Sequence, residues 1–292
     1  MSGWAGTLKQ HGKVEWIDMA NSSINAYKQK VLNDFNSRLN YENEFHRRAA
    51  ARLVELSKLR PGQSVLDIAT GTGLAAIAAA QIVGSTGYVL GTDFSTGMLG
   101  QAKHKLGSLR LKNIAFEQVD ADEQILPEAG YDAILCSSAI VYLTDIPTSL
   151  HQWYRALKPQ GIVAFSCLAE SSPSASVLFR KTVRKYDIHI PNPNELLGTY
   201  ERCRSLLEMV GFREISLTTE QFGCYLQDME SVWTGNARSA FGLQDVEWSK
   251  EKLEQCKQEY LTEIEEVSDE KGYWNDVTMF FVIARKLNKV VA

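Results

Sequence analysis

The chain has 292 residues, 45% of them hydrophobic, so one large α/β domain or two small ones can bury a core without disulfide or metal support. Its 31 basic and 35 acidic residues leave a formal charge of −4, which excludes the broad cationic surface that a nucleic-acid partner requires. Five scattered cysteines form no Cys-x-x-Cys pair, and no apolar run approaches the roughly 18 residues of a membrane span, so we expect a cytoplasmic protein without a span or signal peptide.

The first 60 residues predict a helical N-terminal cap. Apolar side chains recur at roughly helical spacing through 22–59, from Ile24 and Val31 to Leu53 and Leu56. The sequence Arg60-Pro-Gly then ends the helical pattern.

From residue 61 to residue 168 the pattern changes to short apolar runs that alternate with amphipathic stretches. Such alternation predicts a doubly wound parallel sheet with helices on both faces. The five strands of this core are expected at 65–68, 87–93, 114–119, 133–137 and 161–166, with helices near 74–84, 96–107 and 147–158.

The remaining chain predicts a lid and two further strands. Serine and proline residues punctuate 169–199, which we interpret as a lid around a basic helical piece from Phe179 to Tyr186. A helix near 198–209 and a strand at 213–219 follow, then a helical insertion over 227–272 that includes a helix at 248–266, and an apolar last strand at 277–285. We therefore expect a single domain over 1–292, with the C-terminal half of the sheet in 200–292.

A glycine-rich turn follows the first predicted strand. Glycines such as Gly71 and Gly73 tolerate positive φ and remove Cβ atoms, so a cofactor can approach backbone N–H groups at a helix N-terminus. The spacing Gly71-x-Gly73-x-x-Ala76, with Asp93 about twenty residues later, also satisfies the dinucleotide fingerprint. The turn by itself leaves an NAD(P)-dependent oxidoreductase open.

The acid at Asp67 separates the two cofactors by charge. It precedes the first glycine by four residues, at the end of the strand. A carboxylate there attracts the ammonium and sulfonium groups of S-adenosylmethionine (AdoMet) and repels a pyrophosphate. A loop-capping role for Asp67 and a helix-capping role for Asp93 are the structural alternatives.

Four segments in order carry a resemblance over roughly residues 45 to 168. The sequence resembles the class I AdoMet-dependent methyltransferases, particularly the branch of the ubiquinone/menaquinone C-methyltransferases and the small-molecule methyltransferases of natural-product pathways. The segments are 67–73 (Asp-Ile-Ala-Thr-Gly-Thr-Gly), 92–99 (Thr-Asp-Phe-Ser-Thr-Gly-Met-Leu), 119–134 (Val-Asp-Ala-Asp to Tyr-Asp-Ala-Ile) and 155–161 (Arg-Ala-Leu-Lys-Pro-Gln-Gly). The resemblance implies a Rossmann-like seven-stranded sheet, mostly parallel with an antiparallel last strand.

The resemblance also implies cofactor contacts. The acid after strand two would bind the ribose hydroxyls, its neighbouring apolar side chains would pack on adenine, the acid after strand three with the next N–H would recognise the adenine edge, and two serines would line the methionine part. In that order these residues are Asp93; Phe94 and Met98; Asp120 and Ala121; Ser137 and Ser138; the glycine turn adds Asp67, Ala69, Gly71 and Gly73. The sequence departs from the family motifs at two places. Gln160 stands where the family has glycine, and Gln124-Ile125 lengthen the segment before Leu126, which affects the alignment of the adenine-side residues.

The acceptor side is less defined. His46 on the cap and His189 in the lid are candidate general bases for an oxygen or carbon acid, although an amine acceptor needs none. Tyr27, Tyr41 and Tyr142 are candidate aromatic contacts of the acceptor. No cluster of acids and histidines suggests a metal site.

We therefore expect in-line transfer of the AdoMet methyl group to a carbon, nitrogen or oxygen of a small aromatic, quinone-like or natural-product acceptor. The alternatives are an NAD(P)-dependent oxidoreductase and a non-catalytic AdoMet-binding partner protein. A homodimer is a compatible assembly, and the partner is a small molecule instead of a nucleic acid.

Overall fold

A computed structural model describes residues 24–288, in which seven strands form one sheet in the order β3-β2-β1-β4-β5-β9-β6. The strands are β1 Ser64–Ile68, β2 Tyr88–Asp93, β3 Ile114–Gln118, β4 Tyr131–Cys136, β5 Leu157–Leu168, β6 Arg213–Gln221 and β9 Thr278–Arg285. The helices are α1 (24–37), α2 Glu44–Leu56, α3 Leu74–Val83, α4 Thr96–Ser108, α5 Ile146–Ala156, α6 Ser174–Arg184, α7 Tyr200–Val210, α8 Met229–Arg238 and α9 Lys250–Glu265.

The sheet confirms the fold expected from the sequence. β1 to β5 pair in parallel, whereas β9 lies antiparallel between β5 and β6. The apolar side chains of β1 and β4 are fully buried because helices cover both faces of a parallel sheet.

The strand order reverses beside β1, which pairs with β2 on one side and β4 on the other. The chain segments that leave the carboxyl ends of β1 and β4 turn toward opposite faces of the sheet, so a crevice opens between these two strands. The glycine turn follows β1, Asp93 is the last residue of β2 and Ser137 follows β4, so all three lie at the carboxyl ends of the strands around this crevice.

The N-terminal cap differs from the single helix predicted over 22–59. The chain leaves α1 after residue 37, and α2 begins after Asn43, whose side chain accepts a hydrogen bond from the His46 N–H. Leu39, an apolar residue within the predicted helical stretch, is 81% exposed. The prediction was wrong here because the Asn43 cap starts a new helix while the apolar spacing continues across the break.

The lid and the insertion pack on each other. Phe179 of α6, Trp233 of α8 and Tyr260 of α9 make mutual ring contacts at centroid distances of 5.2 to 5.9 Å. Beside them lies a small two-stranded antiparallel sheet of β7 Cys224–Leu226 and β8 Tyr273–Asn275, which the sequence did not predict. Within residues 24–288, no helix combines the length and apolar character needed to cross a bilayer.

Candidate active site

The glycine turn connects β1 to α3 in a backbone conformation that favours glycine. Gly71 and Gly73 have φ values of 55° and 81°, and Ala69 adopts φ 50° at the end of the strand. A Cβ on Gly73 would lie 2.7 Å from the ring of Phe116. Glycine at 73 therefore lets the turn pack against β3 while its N–H groups remain next to the crevice.

Asp93 joins the ends of β1 and β2. Its Oδ2 accepts a hydrogen bond from the Gly71 N–H at 2.8 Å, and its Oδ1 accepts one from the Ser95 N–H at 2.8 Å. Burial raises the pKa of Asp93, and these backbone hydrogen bonds oppose that rise. Each carboxylate oxygen can accept a further hydrogen bond, so the side chain can hold the turn and also bind hydroxyl groups of a ligand.

Asp67 is 1% exposed and incompletely paired. Thr70 Oγ1 donates a hydrogen bond to its Oδ2 at 2.5 Å, whereas Oδ1 has no partner among the described residues. Burial raises the pKa of Asp67 to about 7; the Thr70 hydroxyl and the backbone N–H of Ala76 oppose this rise, and the charge of Asp93 adds to it. An unpaired buried carboxylate oxygen costs about 1–3 kcal/mol, which a cationic ligand would offset.

Unpaired buried atoms are concentrated in one place. Three buried side-chain polar atoms in residues 24–288 lack a hydrogen-bond partner, and two of them, Asp67 Oδ1 and His46 Nδ1, belong to residues that line the same cavity. We call this the glycine-loop cavity. Native structures rarely leave such atoms unpaired, so the cavity is prepared for a polar ligand.

A second cavity continues the first toward β3 and is called here the β3 cavity. Asp120 and Ala121 line this cavity, so they lie where the predicted contact with the adenine edge would need them. The residues common to both cavities are Val31, Ala69, Asp93, Phe94, Ala139 and Tyr142. The two cavities therefore lie side by side along the carboxyl edge of β1, β2 and β3, and we call them together the channel.

Helix α1 covers this channel. Lys28 Nζ lies 2.8 Å from Asp120 Oδ2, and Asn36 Oδ1 accepts a hydrogen bond from the Gly97 N–H at 3.0 Å. The glycine-loop cavity holds about 90 Å³ and the β3 cavity about 50 Å³. Ligand pockets usually hold about 300–1,000 Å³, so the channel under α1 is narrower in this structure than a nucleoside-sized ligand requires.

A third cavity of about 500 Å³ lies under the lid and is called the lid cavity. Its walls come from the cap, the ends of β4 and β5, the lid and α8, and they include five aromatic side chains: Tyr41, Phe45, Tyr142, Phe179 and Phe241. Tyr142 stacks on Phe241 with ring centroids 5.2 Å apart. The cavity suits a flat, largely apolar molecule.

Four residues line both the glycine-loop cavity and the lid cavity, and we call them the junction: Tyr41, His46, Ser138 and Tyr142. Ser138 has φ 55° and donates its N–H to Ser166 Oγ at 2.9 Å. Strained backbone of this kind persists where the surroundings impose it, typically at functional sites. A reacting group bound in one cavity can meet a second molecule in the other at this junction.

His46 lies on α2 and stacks on Tyr41 with ring centroids 4.1 Å apart. Burial lowers the pKa of His46, although a hydrogen bond to the backbone of Tyr41 opposes the decrease. The imidazole is therefore neutral at physiological pH, and its unpaired Nδ1 is able to accept a proton.

The structure separates the other candidate residues. Met98 and Ser137 line the glycine-loop cavity, as expected from their predicted cofactor contacts. Tyr27 lines the β3 cavity instead of the lid cavity, and His189 is exposed and lines none of the three cavities. No group of three or more potential metal-ligating side chains occurs in residues 24–288.

Some lining residues had no local sequence signal. Val31 and Phe35 of α1 cover the glycine-loop cavity, and Arg38 and Arg180 line the lid cavity. The helical spacing of Val31 and Phe35 predicted only an apolar face. Their position over the turn depends on tertiary packing.

Comparison with known proteins identifies relatives over the same region. A family model described as "Methyltransferase domain" matches residues 65–161. The chain is 31% identical over 194 residues to the ubiquinone/menaquinone biosynthesis C-methyltransferase UbiE of Vibrio cholerae, a match that covers 66% of this chain and 71% of that protein. It is 32% identical over 145 residues to the aklanonic acid methyltransferase DauC of a Streptomyces species, covering 48% of this chain and 66% of the relative, just under two thirds of its length.

Solved structures share the fold. YcgJ of Bacillus subtilis matches with a TM-score of 0.59 at 15% identity, over 83% of this chain and all of that one. A phosphoethanolamine N-methyltransferase of Haemonchus contortus, solved in complex with S-adenosyl-L-methionine, matches with a TM-score of 0.52 at 18% identity, over 82% of this chain and 52% of that one.

Proposed function

Because this chain belongs to the class I AdoMet-dependent methyltransferases, in the branch that acts on small molecules, we propose that it methylates a small aromatic acceptor bound in the lid cavity. Family membership confirms the AdoMet prediction over the NAD(P)-dependent alternative. It is consistent with the charge of Asp67, which disfavours a pyrophosphate beside the turn.

The junction is the observation on which the proposal depends. The glycine-loop cavity has the acids and the positive-φ turn that suit the cofactor, and the lid cavity has the aromatic walls that suit the acceptor. Both cavities meet at Tyr41, His46, Ser138 and Tyr142. Transfer requires the two reactants to meet at one place, and holding them there lowers the barrier by up to about 7–11 kcal/mol.

The fit of the cofactor follows from the residues present. Asp67 Oδ1 is an unpaired acceptor for an ammonium group, and Asp93 has acceptor capacity left for ribose hydroxyls. Phe94 lines both ends of the channel, and Asp120 lines the β3 end. AdoMet, when bound, supplies an electrophilic methyl group with a neutral thioether as the leaving group.

The chain itself contributes orientation, water exclusion and proton acceptance. Helix α1 covers the glycine-loop cavity and the lid covers the lid cavity, which shields bound reactants from part of the solvent and so reduces competition by water for the methyl group. For an acceptor that loses a proton, His46 Nδ1 is the group at the junction that can accept it. We assign no part in the reaction to His189, because its exposed position is away from the junction.

The proposal includes a cytoplasmic location and a small-molecule acceptor. All five cysteines are free, and four of them are buried, which suits a reducing cytoplasm. The size of the lid cavity, about 500 Å³, and the formal charge of −4 favour a small-molecule acceptor over a nucleic acid.

The test uses AdoMet with a radiolabelled methyl group and fractionated metabolite extracts. We expect the wild-type protein to move label into an extractable small molecule, and Asp93→Ala to do so much more slowly. If the wild type binds AdoMet but transfers label to no fraction, the protein is an AdoMet-binding partner and the proposal fails.

A further inference from the structure

The charges of the two main cavities differ in sign. Asp67 and Asp93 line the glycine-loop cavity, whereas the lid cavity has two arginines, Arg38 and Arg180, and no aspartate or glutamate among its described lining residues. A cationic cofactor explains the acids. The arginines point to the charge of the acceptor.

The two arginines are not equivalent. Arg38 Nη2 lies 2.7 Å from Asp34 Oδ2 and its Nε lies 3.0 Å from Asp34 Oδ1, so its charge is neutralised within α1 and the adjoining turn. Burial lowers the pKa of Arg38, but this ion pair outweighs burial and leaves the pKa raised. Arg38 is therefore part of the wall and has little capacity left for an anionic ligand.

Arg180 of α6 has no carboxylate partner and no side-chain hydrogen bond within residues 24–288. It is partly buried, and burial lowers the pKa of its guanidinium with no acid to counteract the effect. A guanidinium stays charged under these conditions, so the cavity wall has an uncompensated positive charge. Ser176, one helical turn earlier, also lines the cavity and adds a hydroxyl donor on the same face of α6.

We propose that the acceptor carries a carboxylate and that Arg180 anchors it in the lid cavity. This inference rests on the proposed function and specifies its acceptor as an aromatic acid. The planar guanidinium can donate two parallel hydrogen bonds to a carboxylate, which fixes the orientation of the ligand as well as its charge. The aromatic walls then hold the flat body of the acid next to the junction.

The test compares two probes of the same shape, anthraquinone-2-carboxylate and its neutral carboxamide. Their dissociation constants are measured by quenching of tryptophan fluorescence, with and without S-adenosylhomocysteine. We expect the wild type to prefer the carboxylate at least tenfold, as a charge-assisted contact requires. Arg180→Met should abolish this preference, and Arg180→Lys should retain part of it.

Arg184→Met is the matched control. Arg184 lies on the same helix and is exposed, and its substitution removes the same charge as Arg180→Met. The control variant should keep the wild-type preference. Equal binding of the two probes, no binding of either, or equal losses in the Arg180 and Arg184 variants would overturn the inference. Binding of S-adenosylhomocysteine to the wild type is measured in the same experiment, and its absence would refute the proposed function itself.

Discussion

Asp67→Asn is the most informative single substitution, because it replaces the buried carboxyl by a neutral group of the same shape. The pKa of Asp67 rises from 3.8 to about 7 on folding. At about 1.4 kcal/mol for each unit of pKa, the ionised side chain destabilises the ligand-free protein by about 4 kcal/mol above pH 7.

The sign follows from proton binding. Below pH 3.8 the carboxyl is protonated in both states, and its contribution to stability is fully present. As the pH rises toward 7 the unfolded chain ionises first, so the free energy of unfolding falls until the folded carboxyl ionises as well. Urea unfolding of the ligand-free protein between pH 5 and pH 8 should show this fall in the wild type and lose it in Asp67→Asn. Parallel pH profiles would refute the reasoning.

Cofactor binding should reverse the penalty. A cationic ligand favours the ionised carboxylate, so AdoMet binding at pH 7 should release about half a proton from Asp67, which is close to half protonated there. Calorimetry in buffers of different ionisation enthalpy measures this number. The difference between wild type and Asp67→Asn isolates Asp67 from the ligand's own amine, and no difference would contradict the assignment.

Three other changes test separate parts of the site. His46→Gln should lower turnover of an acidic acceptor without changing S-adenosylhomocysteine affinity, and an unchanged rate would show that His46 is not the base. Because burial lowers the pKa of His46, wild-type activity should fall only below about pH 6.5. Lys28→Met should speed release of S-adenosylhomocysteine in stopped flow by about fivefold, the worth of a partly exposed ion pair with Asp120; equal release rates would show that α1 is held by other contacts. Gln160→Gly should raise the melting temperature by about 2 °C, since Gln160 has φ 67°, whereas a lower melting temperature would show that its side chain compensates the strain.

The strands that build the core were predictable because each is a short apolar run bounded by turns. β1 and β4 are buried on both faces over most of their length, which explains the short apolar runs Val65-Leu66 and Ala133-Ile-Leu-Cys136. The glycine turn was predictable for a related reason, since positive φ at Gly73 and its contact with Phe116 permit no larger residue. Burial and local backbone conformation restrict which residues a position can hold, so both can be inferred from the sequence.

The junction and the lid cavity could not be derived in this way. Tyr41 and Ser138 are 97 residues apart, and their proximity depends on how the break after α1 turns the chain over the sheet. The small β7–β8 sheet pairs Cys224 with Asn275, which are 51 residues apart, through strands of three residues that are too short to show an alternating pattern. At Gln160 the sequence departs from the glycine of the family, but the backbone keeps the left-handed conformation that glycine favours.

The most direct test of the account is a crystal structure of the protein with S-adenosylhomocysteine. The nucleoside should lie along the channel with its ribose at Asp93, its amino group at Asp67 and its thioether at the junction beside His46. A thioether directed away from the lid cavity, or a ligand bound outside the channel, would contradict the claim that methyl transfer takes place where the two cavities meet.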